Sequence, residues 1–478
     1  MNLLFLLIPF AGFGLAAIIQ NSEHQRYISQ ISNEANNILK YLGGNGPYVE
    51  KPGYGISRDP PEGCMVDQVI SMLRHGERFP QAGEKEPIEM SLKKVREANI
   101  GHKGPLGFLP KWRYFGDDPA VYEQISYSGP YAGTLDIFRR GADYRARYDH
   151  LWDKESMVPI FTGNYERCID AARTFGEGFL SYNYSTLGAL NIVSEREEAG
   201  ANSLAPVCKS GKPRDGECRK TSNSHNDYVG YIDETFPQAR VAAQKLNTQY
   251  PGLNLTSYDI ESFMLLASYE LSSKSSSPWF NVFTQEEWIG FEYHKSLYFY
   301  YCAGPGFKWY APTGSVYVNA TRTLLNDGPE KAGEMFWNFS HDTDITPILA
   351  LLGIGVPPHH PPLDGTQIHF GQYYSISEVC PMGTHFTIER LSCDDTSING
   401  KGIFVRFVLN DSVEPLPNCQ DGPGYSCPLE KYNEWVDSNV PSYAEACDIP
   451  RNWTSHLNFW WNWERTNKYN YVRGMIDR

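Results

Sequence analysis

The chain has 478 residues, 41% of them apolar, a formal charge of −14 and an isoelectric point near 5.4. That length can bury a sizeable core and implies two domains, or one with a large insertion. The acidic balance argues against nucleic acid or an anionic membrane surface as general partners, so an anionic substrate would need a local basic cluster.

Residues 1–16 read as a secretory signal peptide. An apolar run from Leu3 to about Phe13 is followed by the small residues Gly14 and Ala16, and it is short for a membrane span. Six Asn-x-Ser/Thr acceptors, at Asn183, Asn254, Asn319, Asn338, Asn410 and Asn452, agree with a secreted glycoprotein that is extracellular or held in the cell wall or periplasm. Ten cysteines without zinc-type spacing point to disulfides in an oxidising compartment. Cys419 and Cys427 flank a turn and form a natural local pair; the remaining pairings do not follow from spacing.

Residues 28–42 carry a helical period and residues 48–63 an extended Pro/Gly-rich pattern. An apolar strand over residues 65–73 then runs into Arg74-His75-Gly76-Glu77-Arg78-Phe79-Pro80. Two guanidiniums offer forked donors suited to phosphate oxygens, and the histidine between them suits a nucleophile or an acid/base group. An isolated basic strand end would need no such role. Helices are expected over residues 87–99 and 128–151, a strand over 157–161, a helix over 166–180 with Arg167 in its first turn, and a strand over 190–194. Residues 195–226 are polar and irregular, and 228–274 are mostly helical with a break near Pro251. Thr284-Gln285-Glu286-Glu287 is a capping box that opens a helix to about Cys302.

A third strand over residues 333–339 leads into His341-Asp342-Thr343-Asp344, with a helix start at 347–352 and a hairpin over 385–393 and 403–409. Asp344 is expected to cap that helix, and the Trp-rich stretch 459–463 to dock into core. This order predicts an α/β fold with an inserted, mainly α-helical domain. The core draws on about 48–85, 155–195 and 330–478, and the insertion mainly on about 86–154 and 225–329.

Arg74-His75-Gly76-x-Arg78-x-Pro80 with the distant His341-Asp342 resembles the histidine acid phosphatase family. This is the branch of the phosphoglycerate-mutase-like fold that includes fungal phytases and yeast secreted acid phosphatases. The segment from Tyr41-Leu42-Gly43-Gly44 to Cys64, the stretch Gly200-Ala201-Asn202-Ser203-Leu204 and the Cys380 region extend the likeness over nearly the whole mature chain. The resemblance implies a phosphoglycerate-mutase-like α/β domain and a metal-independent acid phosphatase that hydrolyses phosphate monoesters through a phosphohistidine, with no cofactor. By it His75 is the nucleophile and Asp342 the proton donor, while Arg74, Arg78, His341 and Arg167 bind the phosphoryl group. Fungal phytases often carry a further arginine in the turn 161–166, which has none here, so the likeness leans toward a general acid phosphatase. Phytase activity is the alternative; a phosphate-binding glycoprotein without catalysis is the reading of a different class.

Overall fold

A computed structural model describes residues 37–51, 53–98, 100, 103–208, 225–356, 362–368, 374–394 and 401–463. The signal segment 1–16, Cys218, the histidines at 359–360 and the hairpin turn at 395–400 lie outside the described residues.

The long apolar run becomes strand β1 (Cys64–Arg74), the middle of a mixed sheet. On one side it pairs in parallel with β4 (Met335–Ser340), which pairs in parallel with β2 (Val158–Gly163), and β2 with β3 (Gly188–Val193). On the other side it pairs antiparallel with β5 (His385–Cys393), which pairs with β6 (Gly402–Leu409). The short strands β7 (Ser412–Val413) and β8 (Cys427–Pro428) both pair with β6.

The central strands are apolar on both faces because both faces are covered. Helices α2 (Gly133–Tyr148) and α3 (Glu166–Leu180) cover one face, where Val69, Leu73, Trp337 and Phe339 meet Tyr144 and Phe175. Helices α8 (Tyr310–Ala332) and α9 (Asp342–Leu352) cover the other, where Ile70, Met72 and Phe336 meet Val316 and Leu349. A further apolar cluster lies among α1 (Ala82–Glu97), α5 (Pro237–Gln249), α6 (Ser257–Lys274) and α7 (Gln285–Cys302), with Ile232 of α4 (His225–Thr235). The order, a mixed sheet wrapped by helices plus a separately packed helical layer, is the α/β class the sequence predicts.

The differences have local causes. The first helix begins at Ala82, five residues ahead of Pro87, because Gln81 and Glu84 cap each other; Pro87 then sits inside the helix. The helix expected from residue 128 begins at Gly133. The stretch 228–274 breaks at Phe236 as well as near Pro251, since Pro237 opens a new helix. The 23-residue α8 was not anticipated; it carries Pro312 and Gly314 in its first turns and kinks at Gly328, where φ is +70°. Helix α9 starts at Asp342, not Pro347, with Asp344 accepting from the His341 amide at 3.2 Å.

Cys419 is bonded to Cys427, as spacing suggests; Cys64 is bonded to Cys393 and Cys208 to Cys447, and Cys302 is also disulfide-bonded. Cys168 and Cys380 are buried free thiols, so an even count did not mean complete pairing. Trp460 is core: its indole donates to Asn338 at 2.8 Å. Asn338 and Asn410 match the glycan acceptor pattern, yet both are fully buried, with amides that donate to backbone carbonyls. No helix among the described residues is long and apolar enough to cross a membrane.

Beneath the sheet, Arg406 and Glu389 form a buried ion pair at 2.6 Å, and Tyr148 donates to the same carboxylate at 2.6 Å. Removing one member of such a pair leaves an uncompensated buried charge. Arg406→Leu is expected to lower unfolding stability by about 3–5 kcal/mol, and Arg406→Leu/Glu389→Leu by less than the single change, as measured by denaturant unfolding.

Candidate active site

The parallel register builds the site. Arg74 lies opposite Ser340, so the residues that follow, His75 and His341, leave adjacent strand ends together. Their ring centroids are 5.9 Å apart. Thr162 of β2 lies opposite Phe339, so the turn after β2 starts α3 at the same edge, with Arg167 in its first turn. Val193 lies opposite Gly163, which brings the residue two past β3, Glu195, to that edge as well. The carboxyl ends of the parallel strands are where open α/β sheets bind ligands.

Arg74 is fully buried. Its Nη1 donates to the carbonyls of Gly44 and Cys380, each at 2.6 Å, and Nη2 meets the Asp342 carboxylate. Those two carbonyls are held in place from behind by Glu292 on α7. That buried carboxylate accepts from the Gly43 amide at 2.7 Å, the Ser375 hydroxyl at 2.8 Å and the Ser377 amide at 3.0 Å. Burial pushes the Glu292 carboxyl up to about 7 even with these donors. Arg78 is forked onto Glu84 at 2.8 and 3.2 Å and lies over the Tyr269 ring. Burial resists the Glu84 charge, but Arg78 outweighs it and holds the carboxyl down to about 2.

His75 is 1% exposed, and its Nδ1 is 2.8 Å from the carbonyl of Gly76. A carbonyl can only accept, so Nδ1 carries the proton and Nε2 keeps its lone pair. Burial, then Arg167, Arg74 and Arg78, drive the His75 pKa well below the usual histidine range. The neutral form of the ring, with the Nε2 lone pair, is therefore favoured.

Asp342 is the first residue of α9, with Thr343 N–H donating to it at 2.7 Å. Burial pulls its carboxyl upward, but Arg74, His341 and Arg78 hold it below the usual carboxylate range. His341 is gripped on both ring nitrogens. Nδ1 is 3.1 Å from Arg167 Nη2, and Nε2 is 3.2 and 3.3 Å from the Glu195 oxygens. Every residue singled out from the two motifs and the α3 start thus reaches one sheet edge. Glu195 was missed, because it stands in a stretch read only as polar and irregular. Its signal is positional: it is the second residue after a parallel strand.

A cavity of about 780 Å³ opens beside Arg78 and Asp342 toward the helical layer. Its far wall is Tyr228, Tyr231, Tyr258 and Tyr298, with Glu86, Glu261 and Lys295. The Lys295 ammonium is 3.4 Å from Glu261, which also accepts from Tyr228 at 2.8 Å.

Known proteins match both the chain and its architecture. The family described as histidine phosphatase superfamily (branch 2) covers residues 65–410. The phytase PHO112 of Candida albicans is 33% identical over 91% of this chain and 92% of its own length. The acid phosphatase PHO1 of Komagataella pastoris is 34% identical over 92% and 93%. The crystal structure of the phytase from D. castellii superposes with a TM-score of 0.81 at 32% identity, covering 92% of this chain and 94% of that one. With a family match over most of the chain, relatives of one-third identity along nine-tenths of it and a shared architecture, this chain belongs to branch 2 of the histidine phosphatase superfamily.

Proposed function

We propose that the protein is a secreted acid phosphatase that hydrolyses phosphate monoesters in two displacements at His75. The observation that carries this reading is the meeting, at one strand edge, of a buried imidazole whose pKa is driven low with three arginines and the Asp342 carboxyl group. Arg74, Arg78 and Arg167 bind the non-bridging oxygens, with His341 beside them, and offset charge as the transition state forms. His75 Nε2 attacks phosphorus, the P–O ester bond breaks, and Asp342 gives its proton to the departing oxygen. Water then attacks phosphorus and passes a proton to the Asp342 carboxylate, and the P–N bond breaks with its electron pair returning to Nε2.

Asp342 must carry a proton to act first as an acid. A phosphoryl anion on Arg74 and Arg78 competes for the guanidiniums that hold the Asp342 carboxyl down, and its own charge raises that carboxyl further. Substrate binding thus arms the donor.

The cavity bears on the leaving group. Its wall is aromatic and carries Glu86 and Glu261, and its Lys295 is already paired. A leaving group with several phosphates would meet like charge there, so the reading favours general monoesters. Two relatives named phytases favour the second reading, phytate hydrolysis. The signal segment and the glycan acceptors support secretion as a glycoprotein; Asn254, Asn319 and Asn452 are exposed and Asn183 is half-buried, in contrast to Asn338 and Asn410. The separate apolar cluster drawn mainly from residues 88–115 and 232–291, joined by Leu39, Leu42, Val49 and Met382, supports the helical insertion, with 17–478 as one phosphatase unit.

Three outcomes are expected. With p-nitrophenyl phosphate and chelator present, kcat/KM stays high below about pH 6.5, because the nucleophile remains neutral there, and His75→Ala loses on the order of 10⁴-fold or more. Asp342→Asn loses about 10²–10⁴-fold with an alkyl phosphate and less with p-nitrophenyl phosphate, whose leaving group needs little protonation; single-turnover rates on the two esters measure this. Side-by-side kcat/KM values place p-nitrophenyl phosphate above phytate by roughly tenfold or more, equivalent to about 1.4 kcal/mol; the reverse order supports the phytase reading.

A further inference from the structure

Glu195 is an acidic side chain at the phosphate-binding edge that the motifs leave unused. It follows β3, its side chain is 9% exposed, and both its oxygens are within 3.3 Å of His341 Nε2. Its approach depends on Gly163 at the end of β2: a Cβ built there would lie 1.9 Å from Glu195 Oε1. A carboxylate only accepts, so His341 Nε2 must carry a proton and donate it.

The other nitrogen then decides what the ring offers to an anion. Nδ1 faces Arg167 Nη2 at 3.1 Å. A neutral ring with its proton on Nε2 accepts there and occupies an arginine donor. A charged ring turns Nδ1 into a second N–H beside Arg167, and both donors are then available to one phosphoryl oxygen. We infer that Glu195 is a positioning residue that holds His341 as an imidazolium, so that Nδ1–H and Arg167 together donate to the phosphoryl group. This rests on the phosphatase reading of the site.

The groups facing His341 pull in both directions, with a net rise. Burial opposes charge on the ring, but the Cys168 sulfur at 3.7 Å and Glu195 outweigh it and raise the pKa well above the usual histidine value. On its own helix Asp344 accepts from the His341 amide, on α3 Arg167 opposes the charge, the Tyr165 ring packs edge-on, and across the site stands His75. The carboxylate–histidine pair is the arrangement that fixes imidazole orientation and raises its basicity at metal centres; here it serves a phosphate.

The test compares wild type with Glu195→Gln and Glu195→Asp. Inorganic phosphate binding is measured by calorimetry and kcat/KM on p-nitrophenyl phosphate, each from about pH 4 to 8, with ring ¹⁵N shifts of His341 as a direct titration. Glu195→Gln can keep one hydrogen bond without the charge. The His341 titration is expected to fall by at least about one unit, so phosphate binding and kcat/KM lose a further tenfold or more between acid and neutral pH relative to wild type. Glu195→Asp, with the charge retained, is expected to recover part of that loss. An unchanged His341 titration, or a loss of equal size at every pH, overturns the inference. Wild type that binds phosphate without turnover would overturn the phosphatase reading while leaving the phosphate-binding comparison of Glu195→Gln intact.

Discussion

The alignment of β1 with β4 is the constraint on which the site depends. A pairing that sets Arg74 against Ser340 makes two histidines, 266 positions apart, neighbours at one edge. A slip of one residue would reverse the faces of every side chain on β1, sending Val69 and Leu73 away from α2 and α3 and Ile70 and Met72 away from α8 and α9. Because each face has its own apolar cluster, burial enforces the register. The geometry of the candidate site is thus fixed by hydrophobic packing several residues away.

The same edge concentrates positive charge inside the protein, and buried charge persists only where it is paired. Arg74 has two carbonyls and Asp342; Arg78 has Glu84. The support reaches further out. Glu292 on α7 gathers the turns at 43–44 and 375–377, and with them the Gly44 and Cys380 carbonyls that aim Arg74. Helix α6 contributes Tyr269, which donates to Glu84 at 2.5 Å. The helical layer therefore holds the arginines in place as well as lining the cavity.

How much of this was legible follows from the range of each signal. The strand into Arg74-His75, the helix from Glu166 and the capping box at Thr284 are local patterns, and all three elements stand where the pattern puts them. Helix starts at Ala82 and Asp342 were read late because a proline inside each helix mimics an N-terminus, while the caps are Gln81 and His341, residues outside the usual capping set. The long α8 hides behind prolines and glycines at both ends. The free thiols Cys168 and Cys380 are invisible to counting, since pairing depends on distance in the fold. Glu195 carries no motif at all; only the pairing of β3 with β2 brings it to His341.

Under the proposed mechanism the electrostatics of the edge suit an acidic working range. Burial, with Arg167, Arg74 and Arg78, lowers the His75 pKa and so favours an unprotonated nucleophile in acid. Two of them also lower the Asp342 pKa, which by itself would disarm the acid. A bound substrate anion shifts both groups. Under the proposed roles its charge relaxes the hold of the guanidiniums on Asp342 and raises His75 as well, so the neutral form of His75 then rests on burial, the largest cause of its low pKa. The proton on Asp342 arrives with the substrate, and the lone pair of His75 is kept by the dry interior behind it.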